Sequence, residues 1–357
     1  MKKKYSVDVT KDGKTIVHTL NIDDDFTLFR YRPSNNYALD ALVKNDFWVS
    51  RPDSFNDPYD TSFVVDSKIL IEYLLENTDD ELIFAYANLR NIASESKKHI
   101  ARKWVEELYK ENMKFLKKLF LVSCFSEDVS NEVMWAHYAD DGKGFAIEYH
   151  YKDLSEIKDY HCNLVNDLTD RFVQQIDGYN EIYGDIDTKD ISQYNTYRII
   201  YTNDKYDATE IIKTSIEVMT SIINIEGATY LDILKEYKTK GINLFDPKKQ
   251  KTISDSIVFT KKKIWNYEKE WRLLLPNLLV DISKVERQHY KVGKLMPKAI
   301  YLGEFANLST RVNVYNYCYT NGVELYQMFS KMKKKSYGLS YYRITKKEMV
   351  QFLDKVE

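Results

Sequence analysis

With 357 residues, 44% apolar and 30% charged, the chain is long enough for a sizeable core and is composed like a soluble globular protein. A formal net charge of −2 gives no general attraction to nucleic acid or anionic membrane, and three cysteines far apart (Cys124, Cys162, Cys318) fit neither a disulfide framework nor a zinc knuckle. No uncharged run approaches the ~18 residues of a membrane span, and the basic N-terminus lacks the apolar stretch of a signal peptide, so a cytoplasmic protein is expected.

Residues 5–20 alternate around Lys11-Asp12-Gly13-Lys14, a hairpin signal. Thr27–Arg32 reads as a strand closed by Pro33, followed by a helix over Tyr37–Lys44 that Ser34 or Asn35 can cap. Phe47–Ser50 reads as a second short strand running into the turn-rich loop Arg51–Asp60. Residues 67–118 carry apolar side chains at three- and four-residue spacing and are expected to form a helical insertion. A buried strand is expected at 119–126, a helical turn at Met134–Ala139, a tight loop at Asp141–Gly144 and a strand at Phe145–Tyr149. The stretch 151–250 is expected to be a mixed, mainly helical insertion, with a strand at Tyr197–Tyr201 and helices near 207–224 and 229–239. Strand signals return at 256–260, 270–275 and 298–302, and Thr345 with Glu348 can form a capping box. Together these predict a single α+β domain over 1–357 with a mixed, largely antiparallel β core.

The segment Ile264–Leu275 (IWNYEKEWRLLL) is the most suggestive of chemistry. On an extended chain, residues two apart share a face, which puts Glu268, Glu270 and Arg272 together. Paired acids can act as general base and as electrostatic partner to a developing cation; the structural alternative is that one of them pairs with an arginine of the first strand. That strand carries Arg30 and Arg32 on one face, and guanidinium forks suit phosphate or carboxylate. The loop Ser50–Asp60, with Asn56 and Asp57, is a rigid polar turn after a strand, a common place for ligand groups. Ser123, Cys124 and Ser126 end the buried strand; no Gly-x-Ser-x-Gly elbow is present, and a Cys124 nucleophile would need a base such as His137. His137 sits between Trp135 and Tyr138 and can serve as ligand, proton carrier or hydrogen-bonded structural group.

In order, the blocks Phe29–Pro33, Ser54–Pro58, Ser123–Glu127, Trp135–Ala139 with Gly144–Ile147, Tyr267–Arg272 and Pro297–Gly303 resemble a bacterial family known as a domain of unknown function. That resemblance implies a context of phage defence or abortive infection and a defence-system partner protein. A second resemblance is to ADP-ribosyltransferases, which use an early arginine, a serine strand and a late Glu-x-Glu strand. It implies NAD as substrate, Glu270 as the catalytic residue with Glu268 assisting, and cofactor contacts from Arg30, Arg32, Ser123, Ser126 and His137. Asn56, Asp57, Trp135, Tyr138 and Arg272 would complete the pocket. The serine strand here reads Ser-Cys-Phe-Ser where those enzymes have Ser-x-Ser. The leading expectation is therefore an NAD-consuming, ADP-ribosyltransferase-like effector. The alternatives are a metal-dependent nuclease using Asp57, Asp60, Glu148 and Glu268, and a non-catalytic sensor or interaction module in which these residues form an interlocked core.

Overall fold

A computed structural model describes residues 4–9, 16–21, 26–93, 96–118, 120–154, 156–157, 196–224, 256–276, 289–331 and 338–356. The expected helices at 229–239 and the turn Lys11–Lys14 lie outside these residues, as does most of the 151–250 stretch.

The chain is α+β, with a mixed and mostly antiparallel sheet. Strands β1 (Lys4–Val9) and β2 (Ile16–Asn21) pair antiparallel as a separate two-stranded unit. The large sheet is built from β3 (Thr27–Arg32), β4 (Asp46–Ser50), β5 (Phe120–Ser126), β6 (Phe145–His150), β7 (Thr196–Arg198), β10 (Glu270–Pro276), β11 (His289–Lys294), β12 (Ala299–Leu302), β13 (Glu324–Ser330) and β14 (Leu339–Ile344). Within it, β12 and β13 run parallel. Two further short strands, β8 (Ile200–Thr202) and β9 (Thr260–Lys262), pair parallel beside it.

Strand β5 is the hub. One edge pairs with β10 over its whole length, and β10 in turn pairs with β7. Its other edge meets β4 at Val122 and β3 at Ser126, so the sheet forks there into β4–β11 and β3–β6–β12–β13–β14. The expected strand Tyr197–Tyr201 is in fact two strands. They separate at Ile199, whose N–H bonds to Glu270 O while that of Ile200 bonds to Phe259 O, so the chain crosses from one partner to another. The expected strand at 256–260 is also displaced: Ser256–Val258 is helical and the strand begins at Thr260.

Alternation along the strands divides the side chains between two faces. On one face Leu28, Phe47, Phe125, Trp271 and Leu273 pack with helices α1 (Asn36–Val43), α7 (Leu308–Asn321) and α8 (Lys346–Leu353). Asn35 caps α1 by accepting from Ala38 N–H at 2.9 Å, and Thr345 and Glu348 form the expected capping box of α8. On the other face Val122 and Leu274 pack against α2 (Ser67–Asn77), α3 (Asp80–Leu89), α4 (Lys97–Lys118) and α6 (Thr209–Asn224). Helix α4 shows why the spacing reads as helix: Ile100, Ala101, Trp104, Val105 and Leu108 form one buried stripe at three- and four-residue intervals. A smaller cluster on this second face packs α5 (Glu132–Tyr138) onto Tyr31, Ala146, Tyr301 and Met328. Each large apolar side chain buried in these clusters is worth about 1.5–3 kcal/mol relative to exposure. Among the described residues no helix is long and apolar enough to cross a membrane.

Candidate functional site

The register of β10 on β5 sets Glu270 opposite Ser126 and Arg272 opposite Cys124, on the face that carries the α2–α6 helices. Glu268 reaches the same side by a different route from the one extended geometry predicts. It ends a 3-10 turn (Lys263–Glu268), and Lys269 takes a left-handed conformation (φ 45°, ψ 48°) before the strand begins at Glu270. The turn, rather than strand alternation, brings the two carboxylates together.

They join a buried charge cluster. Arg272 donates from Nε to Glu270 Oε1 at 2.7 Å, and its two terminal nitrogens reach Asp60 Oδ1 and Oδ2 at 2.9 and 2.5 Å. This is a bidentate fork of the strong, charge-assisted kind. Lys261 Nζ donates to Glu268 Oε2 at 2.6 Å and to Glu270 Oε2 at 3.0 Å, and lies 3.6 Å from Asp60 Oδ2. The side chains of these five residues are 6% exposed or less. The expectation that a glutamate pairs with an arginine of the first strand is thus replaced: the partners are Arg272, from the same strand, and Lys261.

Among the described residues three carboxylates face two cations, so with all of them ionised one negative charge is in excess. It falls on Glu268. Burial first, and then the Glu270 charge, push the Glu268 carboxyl up to about 7, against the pull of Lys261 and Tyr138. Burial also acts to raise Glu270, but Arg272 and Lys261 outweigh it and hold that carboxyl well below the ordinary range. Cys124, half-buried, hydrogen-bonds Glu270, and burial together with that carboxylate pushes its thiol well up. A thiol so placed is not poised as a thiolate nucleophile.

Toward the surface, Tyr138 at the end of α5 donates to Glu268 Oε1 at 2.6 Å, and the exposed Asn56 donates to the Tyr138 hydroxyl at 3.1 Å. Exposed His137 packs near Tyr138 and Tyr267, with ring centroids 6.3 and 6.4 Å apart. Trp265 lies beside Tyr267 at 6.0 Å and holds Lys261 Nζ 5.0 Å from its ring centroid. A half-buried aromatic rim therefore stands over Glu268, itself 2% exposed. Backbone contacts pin the arrangement: Ser126 Oγ donates to Glu268 O at 2.7 Å, Asn131 Nδ2 to Tyr267 O at 2.5 Å, and Glu270 N–H to Tyr201 Oη at 2.8 Å.

The remaining expected site residues divide. Trp135 is buried, donating its indole N–H to Val129 O at 2.7 Å, and Asp57 accepts from Tyr59 N–H at 2.9 Å. Glu148 bonds Lys298 and Tyr301 at 2.9 and 3.0 Å, apart from the cluster that holds Asp60 and Glu268. Among the described residues no group of three histidine, cysteine or acidic side chains could hold a metal ion. Arg30, Arg32 and Ser123 do not converge with Glu270. Arg30 sits over the Phe47 ring at 5.0 Å, on the opposite face of the sheet, and Ser123 points to that same face with no hydrogen-bond partner for its buried hydroxyl. The physical reason is the two-residue period: Phe29, not Arg30, lies opposite Ser126 and packs against Tyr301. Sequence reasoning passed over Lys261 altogether, because within Thr-Lys-Lys-Lys it looks like solvated surface; the acid-rich segment seven residues on is the signal that one of those lysines is buried.

No curated protein and no solved structure matches the chain. Residues 134–273, which run from within α5 to Leu273 of β10 and contain Tyr138, Lys261, Glu268, Glu270 and Arg272, match the family model described as a protein of unknown function, DUF2971, so the expected resemblance to a domain of unknown function is found over that span.

Proposed function

We propose that the charge cluster is the working part of an enzyme of glycosyl-transfer type, consuming NAD or a related nucleotide, with Glu268 as its acid–base group. The observation that carries this reading is the surplus negative charge in the buried cluster, lodged on Glu268 beneath an aromatic rim. Two carboxylates whose environments push them apart are the usual mark of divided acid–base roles. Glu270, locked by Arg272 and Lys261, stays ionised, while Glu268 exchanges its proton near neutral pH. An oxocarbenium-like transition state develops positive charge, and the negative charge that the cluster carries when Glu268 is ionised stabilises it in a dry site far more than water does. Trp265, Tyr267 and Tyr138 offer ring faces on which a planar base or nicotinamide can stack. Relative to the expectation from sequence, the roles of the two glutamates are exchanged, and Arg30 and Arg32 have no part in this site.

Because Asn56 and Tyr138 cover Glu268, substrate entry requires the contact between the 51–60 loop and α5 to open. The direct test is release of nicotinamide from NAD by the purified chain and by Glu268→Gln. A folded variant that turns over NAD as fast as the parent would end this reading. A second reading is supported by the same burial: with all five charged side chains sealed, the cluster can be the interlocked core of a non-catalytic sensor or interaction module. In that case Glu268→Gln changes the melting temperature and nothing else. The family resemblance adds a role in phage defence, for which the same variant, compared with the parent in a plaque assay, is the test.

A further inference from the structure

We propose that the outer edge of strand β14 is a docking site for an extended acidic segment of a partner protein, which adds to the large sheet as a further strand. In the order of that sheet β14 stands last, paired with β13 on one side alone. The register is unbroken from Leu325 opposite Ile344 to Ser330 opposite Leu339. Lys331 N–H donates to Gly338 O at 2.9 Å, which fixes the phase of the ladder. Hydrogen-bonded and non-hydrogen-bonded positions alternate along an antiparallel pair. Ser340, Tyr342 and Ile344 therefore turn their backbone groups toward β13, while Leu339, Tyr341 and Arg343 turn theirs outward. Those outward N–H and C=O groups have no partner among the described residues.

Sheet edges are ordinarily blunted by bulges, prolines or inward-pointing charges. At the opposite end of the sheet β11 carries such a device, since its register on β4 shifts between Lys291 and Gly293. Strand β14 has neither bulge nor proline, and it presents aromatic surface instead. Tyr341 is 43% exposed, its ring edge-on to Tyr301 and Tyr326 at 5.0 and 5.5 Å. On the other face Tyr342 is 50% exposed beside Phe329, with ring centroids 5.8 Å apart. An added strand would find aromatic neighbours on both of its faces, the cross-strand pairs that stabilise sheets.

Charge selects the occupant. Lys331 stands at one end of the edge, and Lys346 and Lys347 at the other; all three are exposed, and none is in an ion pair among the described residues. The sequence that follows β13, Lys331-Met332-Lys333-Lys334-Lys335, adds further lysines. The acids nearby are engaged: Glu324 by Arg343 and Tyr326, Glu348 by Thr345, and Glu304 by Ser330. A second copy of this chain is a poor occupant, because antiparallel pairing of β14 with itself sets Lys331 of one copy beside Lys346 and Lys347 of the other. A segment with an apolar, extended middle and acidic flanks matches both ends. The backbone ladder then supplies affinity and the flanks supply selectivity.

The test is fluorescence anisotropy of the whole chain with a labelled peptide, Asp-Glu-Val-Thr-Val-Thr-Val-Glu-Asp. Parallel probes carry lysine for every acid, or proline for both threonines. The acidic peptide should bind saturably and more weakly as salt rises, and both altered peptides should bind about tenfold more weakly or worse. Arg343→Pro removes an outward N–H and leaves the ladder to β13 whole, so it should melt as the parent does and lose about tenfold or more in affinity. Arg343→Gln loses the same exposed charge but keeps that N–H, and should stay within about threefold of the parent. Lys346→Glu combined with Lys347→Glu places acids where the first turn of α8 favours them, and should also weaken the peptide about tenfold. That pair decides the matter should Arg343→Pro fail to fold. A dimer dissociated by Arg343→Pro would assign the edge to a second copy, and displacement of the peptide by single-stranded oligothymidylate would assign it to nucleic acid. Either result would overturn the proposal, as would no saturable binding of the acidic peptide, equal binding of the lysine or proline peptide, or undiminished binding by the variants at Arg343→Pro or at Lys346 and Lys347.

Discussion

The hydroxyl of Tyr138 donates to Glu268 Oε1 at 2.6 Å, and this single contact ties helix α5 to the outer end of a charge cluster otherwise sealed between strand and helices. On the far side of Glu268, Lys261 holds the other carboxylate oxygen at 2.6 Å. One group that titrates near neutral pH is therefore held between a phenol and an ammonium.

Removing the phenol should have a readable effect. Tyr138→Phe deletes a hydrogen bond to a charged group, at a cost of about 1.5–3 kcal/mol. Because that bond pulls the Glu268 carboxyl down, its loss should move the Glu268 titration upward from about 7. Carboxyl-carbon NMR of the parent and of Tyr138→Phe checks both position and direction.

The stability of the chain should fall as pH rises through the near-neutral window. Glu268 titrates at about 7 in the fold against an ordinary 4.5, so the folded chain binds that proton more tightly than the unfolded one. Its contribution is complete below the unfolded value and shrinks by roughly 3 kcal/mol between the two values. Glu270 acts in the opposite sense: its carboxyl is depressed, so its contribution is present above 4.5 and lost as pH falls. Urea midpoints measured against pH should peak at about pH 5 and then decline. Glu268→Gln should flatten the decline; an unchanged slope would show that another group is responsible.

Arg272 is the residue on which the cluster depends. Its guanidinium is 0% exposed and holds Asp60 and Glu270 at once. Arg272→Met keeps much of the volume and strands two buried carboxylates, at an expected cost of about 3–5 kcal/mol. Chemical denaturation should show that loss, and a triple variant that also neutralises Asp60 and Glu270 (to Asn and Gln) should recover part of it. No recovery would mean that packing, rather than charge, accounts for the cost.

Gly144 is required by space rather than by an unusual backbone angle. A Cβ there would lie 2.1 Å from Arg32 O and 3.0 Å from Ala139 O, both backbone atoms that cannot swing aside. Gly144→Ala should cost about 2 kcal/mol or more by forcing β3 and β6 apart. Thermal melts test this, and Gly322→Ala gives a contrasting case: its cost should come from the left-handed φ of 67° at the end of α7, since nothing lies within 4 Å of its Cβ position.

Much of the secondary structure was legible because it follows from local chemistry. The alternation of Thr27–Arg32, the stripe along α4, the Asn35 cap and the Thr345–Glu348 capping box each depend on residues within a few positions of one another, and each is present. The pairing of Glu270 and Arg272 on one face was equally local. Which face of the sheet meets which face of another strand is not local. Phe29 rather than Arg30 falls opposite Ser126, and that one-residue register sends both early arginines away from the late glutamates. The burial of Lys261, the arrival of Asp60 from a loop more than two hundred residues before Arg272, and the left-handed turn at Lys269 that folds Glu268 inward likewise depend on long-range packing. The amino-acid order thus determined the strands, helices and caps, and the acid-rich segment around which charge would gather. Tertiary structure alone decided which charges met and which were kept apart, because in a sheet a shift of one residue exchanges the two faces.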